Sequence, residues 1–303
     1  MGAIINGKEI ANDFCKTIGE QVEELKARGI LPCIALVNAS SDPASEIYVL
    51  KKSKLAESLG IKSTIHKLDD NVSSDEVADL LRNLNEDDTV HAILLQSPLA
   101  NGLNFRKLVD LIDPEKDVDG LTTINQGRLF TGEPCIAPCT PSGVLHLIHR
   151  RDADHNNKIH ALQAPDGLVT HRGSLSGLHA VVLGRSSIVG KPMAQLLLNE
   201  NCTVTTLHSR SQNIQEICRT ADIIVSAIGK PKYITKDFVK PGVIVIDVGI
   251  NRLEIDGKKK IVGDVDFDTV SEIAGAISPV PNGVGPMTVA YLMHNATQLA
   301  AKK

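Results

Sequence analysis

Tyr48 and Lys52 lie four residues apart in the segment opened by Asp42-Pro43, and Leu55 and Leu59 continue the same series. On a helix the spacing i, i+4, i+7, i+11 places all four on one stripe. Lys51 falls on its flank and Lys54 nearly opposite, which leaves Lys52 on the apolar side. An amine buried beside a hydroxyl favours its neutral form, the form that proton transfer near neutral pH requires. The same position also suits a lysine whose stem lies on the core while its ammonium reaches water. Gln96 closes the apolar run Ala92 to Leu95. Open α/β sheets bind ligands at such strand ends, although a cap for backbone groups would use the same residue. The acidic turn Asp113 to Gly120 is either a plain loop or a carrier of one carboxylate for an amino-pyrimidine-like edge. Pro279 to Thr288 joins stiff prolines to permissive glycines just before a helix, so a ligand can come close to its backbone.

A second constellation begins at His179-Ala-Val-Val-Leu183, which runs into Gly184-Arg185-Ser186-Ser187-Ile188-Val189-Gly190 and then a helical stretch. Strand, small-residue turn and helix N-terminus together make an anion site, because unpaired N–H groups and the helix dipole point at a phosphate. The spacing departs from Gly-x-Gly-x-x-Gly: Ser186 stands at the second glycine and the last is displaced by one. An ordinary tight βα turn is the alternative. The next strand, Thr203 to His208, ends at Ser209-Arg210, where an NAD enzyme would carry an acid for the ribose 2′-hydroxyl. Arg185, Ser209 and Arg210 instead offer cations and a hydroxyl suited to a 2′-phosphate.

The elements that must position these residues follow from periodicity. Ile10, Phe14, Ile18, Val22 and Leu25 recur at helical spacing before Gly29, and Cys33 to Val37 reads as a buried strand. A capped helix is expected from Asp42-Pro43 to Leu59-Gly60, a strand over Ile61 to Leu68, a capping box at Ser73 and Glu76, and a strand at 91–96. Four apolar runs follow His179, and Pro286 to Ala301 repeats Val289, Leu292, Met293, Ala296 and Leu299 at helical spacing. Such βα alternation implies a parallel sheet in each of two α/β domains. The Gly-, Pro- and Thr-rich stretch 121–143 reads as the crossing between them, and 151–177 as an extended surface loop.

Composition narrows the function classes. The 303 residues are 42% hydrophobic and 22% charged, with 32 basic against 36 acidic residues and a net charge of -4. A basic footprint for nucleic acid is missing, and 3% aromatics without Trp leave few rings for stacking bases. No apolar stretch has the length of a membrane helix, and the start MGAIINGKEI has neither a secretory pattern nor Ser or Thr at position 6 for myristoylation. The six cysteines show no tight Cys-x-x-Cys pair, and Cys135, Cys139, His146 and His149 lack the usual closely paired zinc ligands. Reduced thiols in a cytoplasmic protein without metal are therefore expected.

The segments DPASEIYVLKKSK, AILLQSPL, PEKDVDGL, CTPSGV, GRSSIVGKPMA, VIVIDVGINRL, IVGDV and PVPNGVGPMT follow one another in this order. Taken together the chain resembles, over nearly its whole length, the bifunctional methylenetetrahydrofolate dehydrogenase/methenyltetrahydrofolate cyclohydrolase family. The resemblance implies an N-terminal α/β catalytic domain over 1–122, joined by the C-terminal helix 284–303 packing back on it. A Rossmann-like NADP-binding domain would span 123–283. It further implies Lys52 as the catalytic group, tuned by Tyr48 and Gln96, with Leu95, Ser97 and Asp119 in the folate cleft and Asp119 on the pterin. Pro281, Asn282, Gly283, Val284 and Gly285 would form the substrate-facing loop. Gly184, Arg185, Ser186, Ser209 and Ile250 would contact NADP, with Thr140 and Thr288 near the nicotinamide. A homodimer is the implied assembly.

Two positions depart from the family pattern: Asn282 replaces the first glycine of Pro-Gly-Gly-Val-Gly, and Ser97 replaces Leu. A short-chain dehydrogenase shares Tyr-x-x-x-Lys, but in that class the pair follows the nucleotide turn, whereas Tyr48 and Lys52 precede Gly184. A shikimate-type dehydrogenase shares the domain order but not Gln96 with PEKDVDGL and PVPNGVGPMT. Retention of Tyr48, Lys52, Gln96 and Asp119 together speaks against a silent nucleotide sensor.

Overall fold

The computed structural model describes residues 2–100, 102–150, 175–255 and 258–302. Most of the surface loop expected at 151–177 therefore lies outside the described residues. Contacts divide the chain into two compact units. One contains 12–131, 135–137 and 289–303; the other contains 1–11, 132–134 and 138–288. The chain enters through β1 (Ala3–Ile4) and α1 (Gly7–Ala27).

In the first of these units β2 (Cys33–Asn38), α2 (Pro43–Ser58), β3 (Lys62–Lys67), α3 (Ser74–Glu86) and β4 (Ala92–Leu95) alternate as the sequence predicts. The three strands form a parallel sheet in the order β3-β2-β4. Every residue of β2 is buried, which fits its apolar run in a central parallel strand. Both helix starts are fixed by local chemistry. The Asp42 carboxylate accepts from the N–H groups of Ala44 and Ser45 ahead of Pro43, and Ser73 and Glu76 close a reciprocal capping box. Val77, Leu81 and Leu84 of α3 pack with Ala35, Val37, Ile93 and Leu95 of the sheet. The short α4 (Phe105–Val109) adds Leu108 and Val109 to that core.

The 121–143 stretch is more regular than its composition predicts. It contains α5 (Thr123–Thr131) and the start of α6 (Cys139–His149), with Gly127 and Gly143 accommodated inside helices. At Gly143 the helical position is explained by packing: a Cβ there would lie 2.9 Å from that of Met287.

In the other unit β5 (His179–Leu183), α7 (Gly190–Asn199), β6 (Thr203–Leu207), α8 (Ile214–Cys218), β7 (Ile223–Ser226) and β8 (Ile244–Asp247) continue the alternation. The antiparallel hairpin β9 (Asn251–Ile255) and β10 (Lys258–Val262), α9 (Phe267–Ser271), β11 (Ala276–Ile277) and α10 (Val284–Ala301) complete the described elements. The parallel sheet runs β1-β11-β8-β7-β5-β6. Because β1 pairs with β11, residues 1–11 belong to this unit, so its limits differ from the expected boundaries at 122/123 and 283/284. Two-residue strands carry no readable periodicity. The C-terminal helix packs back as the sequence predicts: its segment from Val289 lies in the unit of α2, where the Tyr291 ring is 5.0 Å from that of Phe14.

One helix face is corrected. The buried residues of α2 are Ser45, Val49, Ser53 and Ala56, so the stripe of Tyr48, Lys52, Leu55 and Leu59 is not its core face. Tyr48 is 42% exposed and Lys52 half-buried. Small residues let the helix approach β2 and β3 closely, and two of them are serines that an apolar pattern does not register.

Candidate active site and nucleotide pocket

Lys52, three turns into α2, donates from Nζ to Gln96 Oε1 at 2.9 Å. Gln96 follows β4, where its N–H is fixed on the Val37 carbonyl at 2.8 Å and its side-chain Nε2 donates to the Ser97 carbonyl. With the amide nitrogen committed to Ser97, the oxygen is the atom left facing the lysine. A neutral amide thus helps to orient Nζ. Leu95 is buried in the core, Ser97 is exposed, and Tyr48 sits one turn before Lys52 with much of its ring open to water.

Asp119 is carried to the same end of this sheet. Asp117 bridges Ile93 in parallel, and the Ile93 N–H donates to the Lys116 carbonyl at 2.7 Å, so the chain here runs alongside β4 toward the level of Gln96. The buried Lys116 ammonium donates to the carbonyls of Leu84, Asn85 and Asp87, tying this segment to the end of α3. The buried Asp117 carboxylate accepts from Leu121 N–H, Thr122 N–H and Asn125 Nδ2. Asn295 of α10 donates to the Val118 carbonyl at 2.9 Å. Of the two aspartates, Asp117 is therefore committed to the turn, whereas Asp119 is only partly buried.

The Pro-Asn-Gly loop lies in the other unit. Asn282 has φ of +77°, a left-handed conformation that Asn tolerates better than most residues, so it can stand where the family has glycine. Gly283 has no such substitute, since a Cβ would lie 2.3 Å from the Pro279 carbonyl oxygen. Pro281, Asn282 and Gly285 are exposed and Val284 is buried. Thr140 of α6 and Thr288 of α10 meet at 3.0 Å between their hydroxyl oxygens.

A cavity of about 300 Å³ opens at the C-terminal ends of β5, β6 and β7, lined by Gly184, Arg185, His208, Ser209, Ile228, Lys230, Tyr233 and apolar neighbours. The βα turn beneath it leaves no room for a side chain at its two glycines. Gly184 takes φ of +116° with its absent Cβ 2.3 Å from the Ala227 carbonyl oxygen, and a Cβ on Gly190 would meet the Gly184 oxygen at 2.2 Å. Gly190 thus permits the close approach of helix and strand despite its displaced spacing. Ser186 Oγ accepts from the N–H groups of Val189 and Gly190, so the start of α7 is partly capped rather than bare. Ile250 is 58% exposed in the loop after β8.

Asn295, Lys230 and Tyr233 have no signal of their own in the sequence, and Lys116, Asp117 and His208 are marked there only as parts of a turn and a strand. Lys116 and Asn295 act on carbonyls far along the chain, whereas Asp117 accepts from donors within the following eight residues. Lys230 lies 5.1 Å from the centre of the Tyr233 ring, a cation–π contact at the cavity wall.

The family described as tetrahydrofolate dehydrogenase/cyclohydrolase, catalytic domain, matches residues 5–119, and its NAD(P)-binding domain matches 165–303. A bifunctional protein FolD of Cereibacter sphaeroides is 49% identical over 292 residues, covering 96% of this chain and 92% of that protein. The crystal structure of the bifunctional FolD methylenetetrahydrofolate dehydrogenase/cyclohydrolase from Campylobacter jejuni superimposes with a TM-score of 0.90 at 39% identity, covering 100% of this chain and 99% of that one. The Trypanosoma brucei N5,N10-methylenetetrahydrofolate dehydrogenase-cyclohydrolase, solved with NADP cofactor and inhibitor, gives 0.88 at 32% identity, covering 99% and 98%. With both domain descriptions matched in order and relatives this similar over their whole length, the chain belongs to the tetrahydrofolate dehydrogenase/cyclohydrolase family.

Proposed function

We propose that the chain oxidises 5,10-methylenetetrahydrofolate to 5,10-methenyltetrahydrofolate with NADP and hydrolyses that product to 10-formyltetrahydrofolate. The observation that carries this reading is the Lys52–Gln96 pair, an amine oriented by a neutral amide at the end of a parallel sheet. NADP fits the other unit: Gly184 and Gly190 leave a turn that a Cβ would fill, and Arg185 and Ser209 line the cavity beside it. Among the described residues no carboxylate lines that cavity, which favours a 2′-phosphate over a bare ribose hydroxyl. When bound, NADP supplies a hydride acceptor for the methylene carbon.

The chain's own groups account for the second step. Water adds to the methenyl cation and the adduct gives up both water protons, one released to solvent and one delivered to the ring nitrogen whose bond to that carbon breaks. Lys52 Nζ is the group assigned to these transfers, with Gln96 fixing its direction and Tyr48 flanking it. Asp119 is assigned to the pterin, whose amino and ring N–H groups can donate to a single carboxylate. The loop Pro281 to Gly285 is assigned to the substrate side, and Ser186, Ile250, Thr140 and Thr288 to the cofactor side. Resemblance supports a cytoplasmic homodimer, and sedimentation at twice the 32.5 kDa chain mass tests the assembly. The catalytic reading is tested by NADPH absorbance on adding methylenetetrahydrofolate and NADP to the purified protein; NADP binding without NADPH formation would instead indicate a sensing module.

A further inference from the structure

We infer that Asp264 is a positioning residue for NADP, fixing the two loops that follow β7 and β8. The inference rests on the reading of this unit as an NADP site. Asp264 is fully buried. Its Oδ2 accepts from Ile228 N–H at 2.8 Å, Gly229 N–H at 3.1 Å and the Ser226 hydroxyl at 3.3 Å, all at the end of β7. Its Oδ1 accepts from Asn251 Nδ2 at 2.9 Å, beyond the end of β8. One carboxylate thereby ties together the exits of two adjacent parallel strands, the place where an open α/β sheet holds its ligand.

Both tied segments carry residues that the proposed function assigns to the cofactor side or that line the cavity. Ile228 lines the cavity, and Ile250 stands exposed between Gly249 and Asn251. Gly249 must lack a side chain for this arrangement, because its Cβ would lie 2.2 Å from Asp264 Oδ1. Asp264 is itself held, since its N–H donates to Asp247 at 2.9 Å, and Asp247 also accepts from Gly249 and Val265 N–H groups. The carboxylate is fully buried and is not among the residues lining that cavity, so its action on the cofactor passes through the loops.

The two activities of one chain separate this role from general structural support. NADP affinity is measured by calorimetry for the unsubstituted protein, Asp264→Ala and Asp264→Asn. Methenyltetrahydrofolate hydrolysis is measured in the absence of NADP. Loss of several charge-assisted hydrogen bonds predicts NADP binding weaker by about tenfold or more in Asp264→Ala. Hydrolysis without NADP should fall far less. Asp264→Asn keeps the side-chain shape and should weaken binding less, and adding Asn251→Asp should recover part of the loss by exchanging donor and acceptor. Unchanged NADP affinity in both single variants, or equal losses of affinity and NADP-free hydrolysis, would overturn the inference. An unsubstituted protein that does not bind NADP would overturn the site reading along with it.

Discussion

Replacing Lys52 by Met removes the amine and keeps most of the apolar stem, so the half-buried position on α2 remains filled. What is lost is the hydrogen bond to Gln96 and the proton carrier it orients. Proton transfer by a positioned side chain is worth roughly 10²–10⁴-fold, and methenyl hydrolysis should fall by that factor. Gln96→Ala leaves the amine but frees its direction. The loss of one hydrogen bond to a charged group, about 1.5–3 kcal/mol, corresponds to roughly ten- to a hundredfold. Lys52→Arg should not rescue the rate, because a guanidinium stays protonated and cannot act as a base. The double variant should be little worse than Lys52→Met alone, since Gln96 acts through the lysine. Dehydrogenase turnover, which transfers hydride, should suffer less than hydrolysis. The assay follows disappearance of methenyltetrahydrofolate in a folded, folate-binding protein, and unimpaired hydrolysis in Lys52→Met would show that Lys52 is not the proton carrier.

Other expectations concern the cofactor, the folate and acid stability. Arg185→Ala should narrow the preference for NADP over NAD by roughly ten- to a hundredfold through loss of a charge-assisted hydrogen bond, and equal efficiency with both cofactors in the unsubstituted protein would contradict it. Asp119→Ala should raise the folate KM by a comparable roughly ten- to a hundredfold. Asp117→Ala, which strands three turn donors, should instead lower Tm; the reverse pattern would shift the assignment by two residues. Burial against Phe14 and Tyr291 pushes His294 down to about 4 from its ordinary 6.5. The folded ring stays neutral while the unfolded chain takes up a proton, so this stability is fully present above pH 6.5 and is lost as pH falls toward 4. The loss amounts to about 3 kcal/mol, and denaturant unfolding of His294→Phe against pH should show a flatter acid limb. An unchanged slope would contradict the assignment.

Local signals made much of the fold legible. The Asp42-Pro43 start, the Ser73–Glu76 box and the apolar runs of both sheets depend on residues close in sequence, and each forms the element its pattern predicts. β1 and β11 escape notice because two residues carry no period and their pairing joins opposite ends of the chain. The close face of α2 was hidden for a chemical reason: Ser45 and Ser53 pack tightly without being apolar, while the more apolar stripe beside them is the one left partly open. At the site, spacing groups Tyr48 with Lys52 but says nothing of Gln96, which lies 44 residues away. Likewise, nothing in the acidic turn distinguishes Asp117 from Asp119 until the backbone donors around each are known.

The proposed function requires one chain to carry out both folate steps in succession. Purified protein given 5,10-methylenetetrahydrofolate and NADP, with methenyl and 10-formyl products followed separately, tests it most directly. NADPH formation should be matched by methenyl and formyl products together, with formyl appearing faster than spontaneous hydrolysis allows. NADPH without accelerated formyl formation, or no NADPH at all, would contradict it.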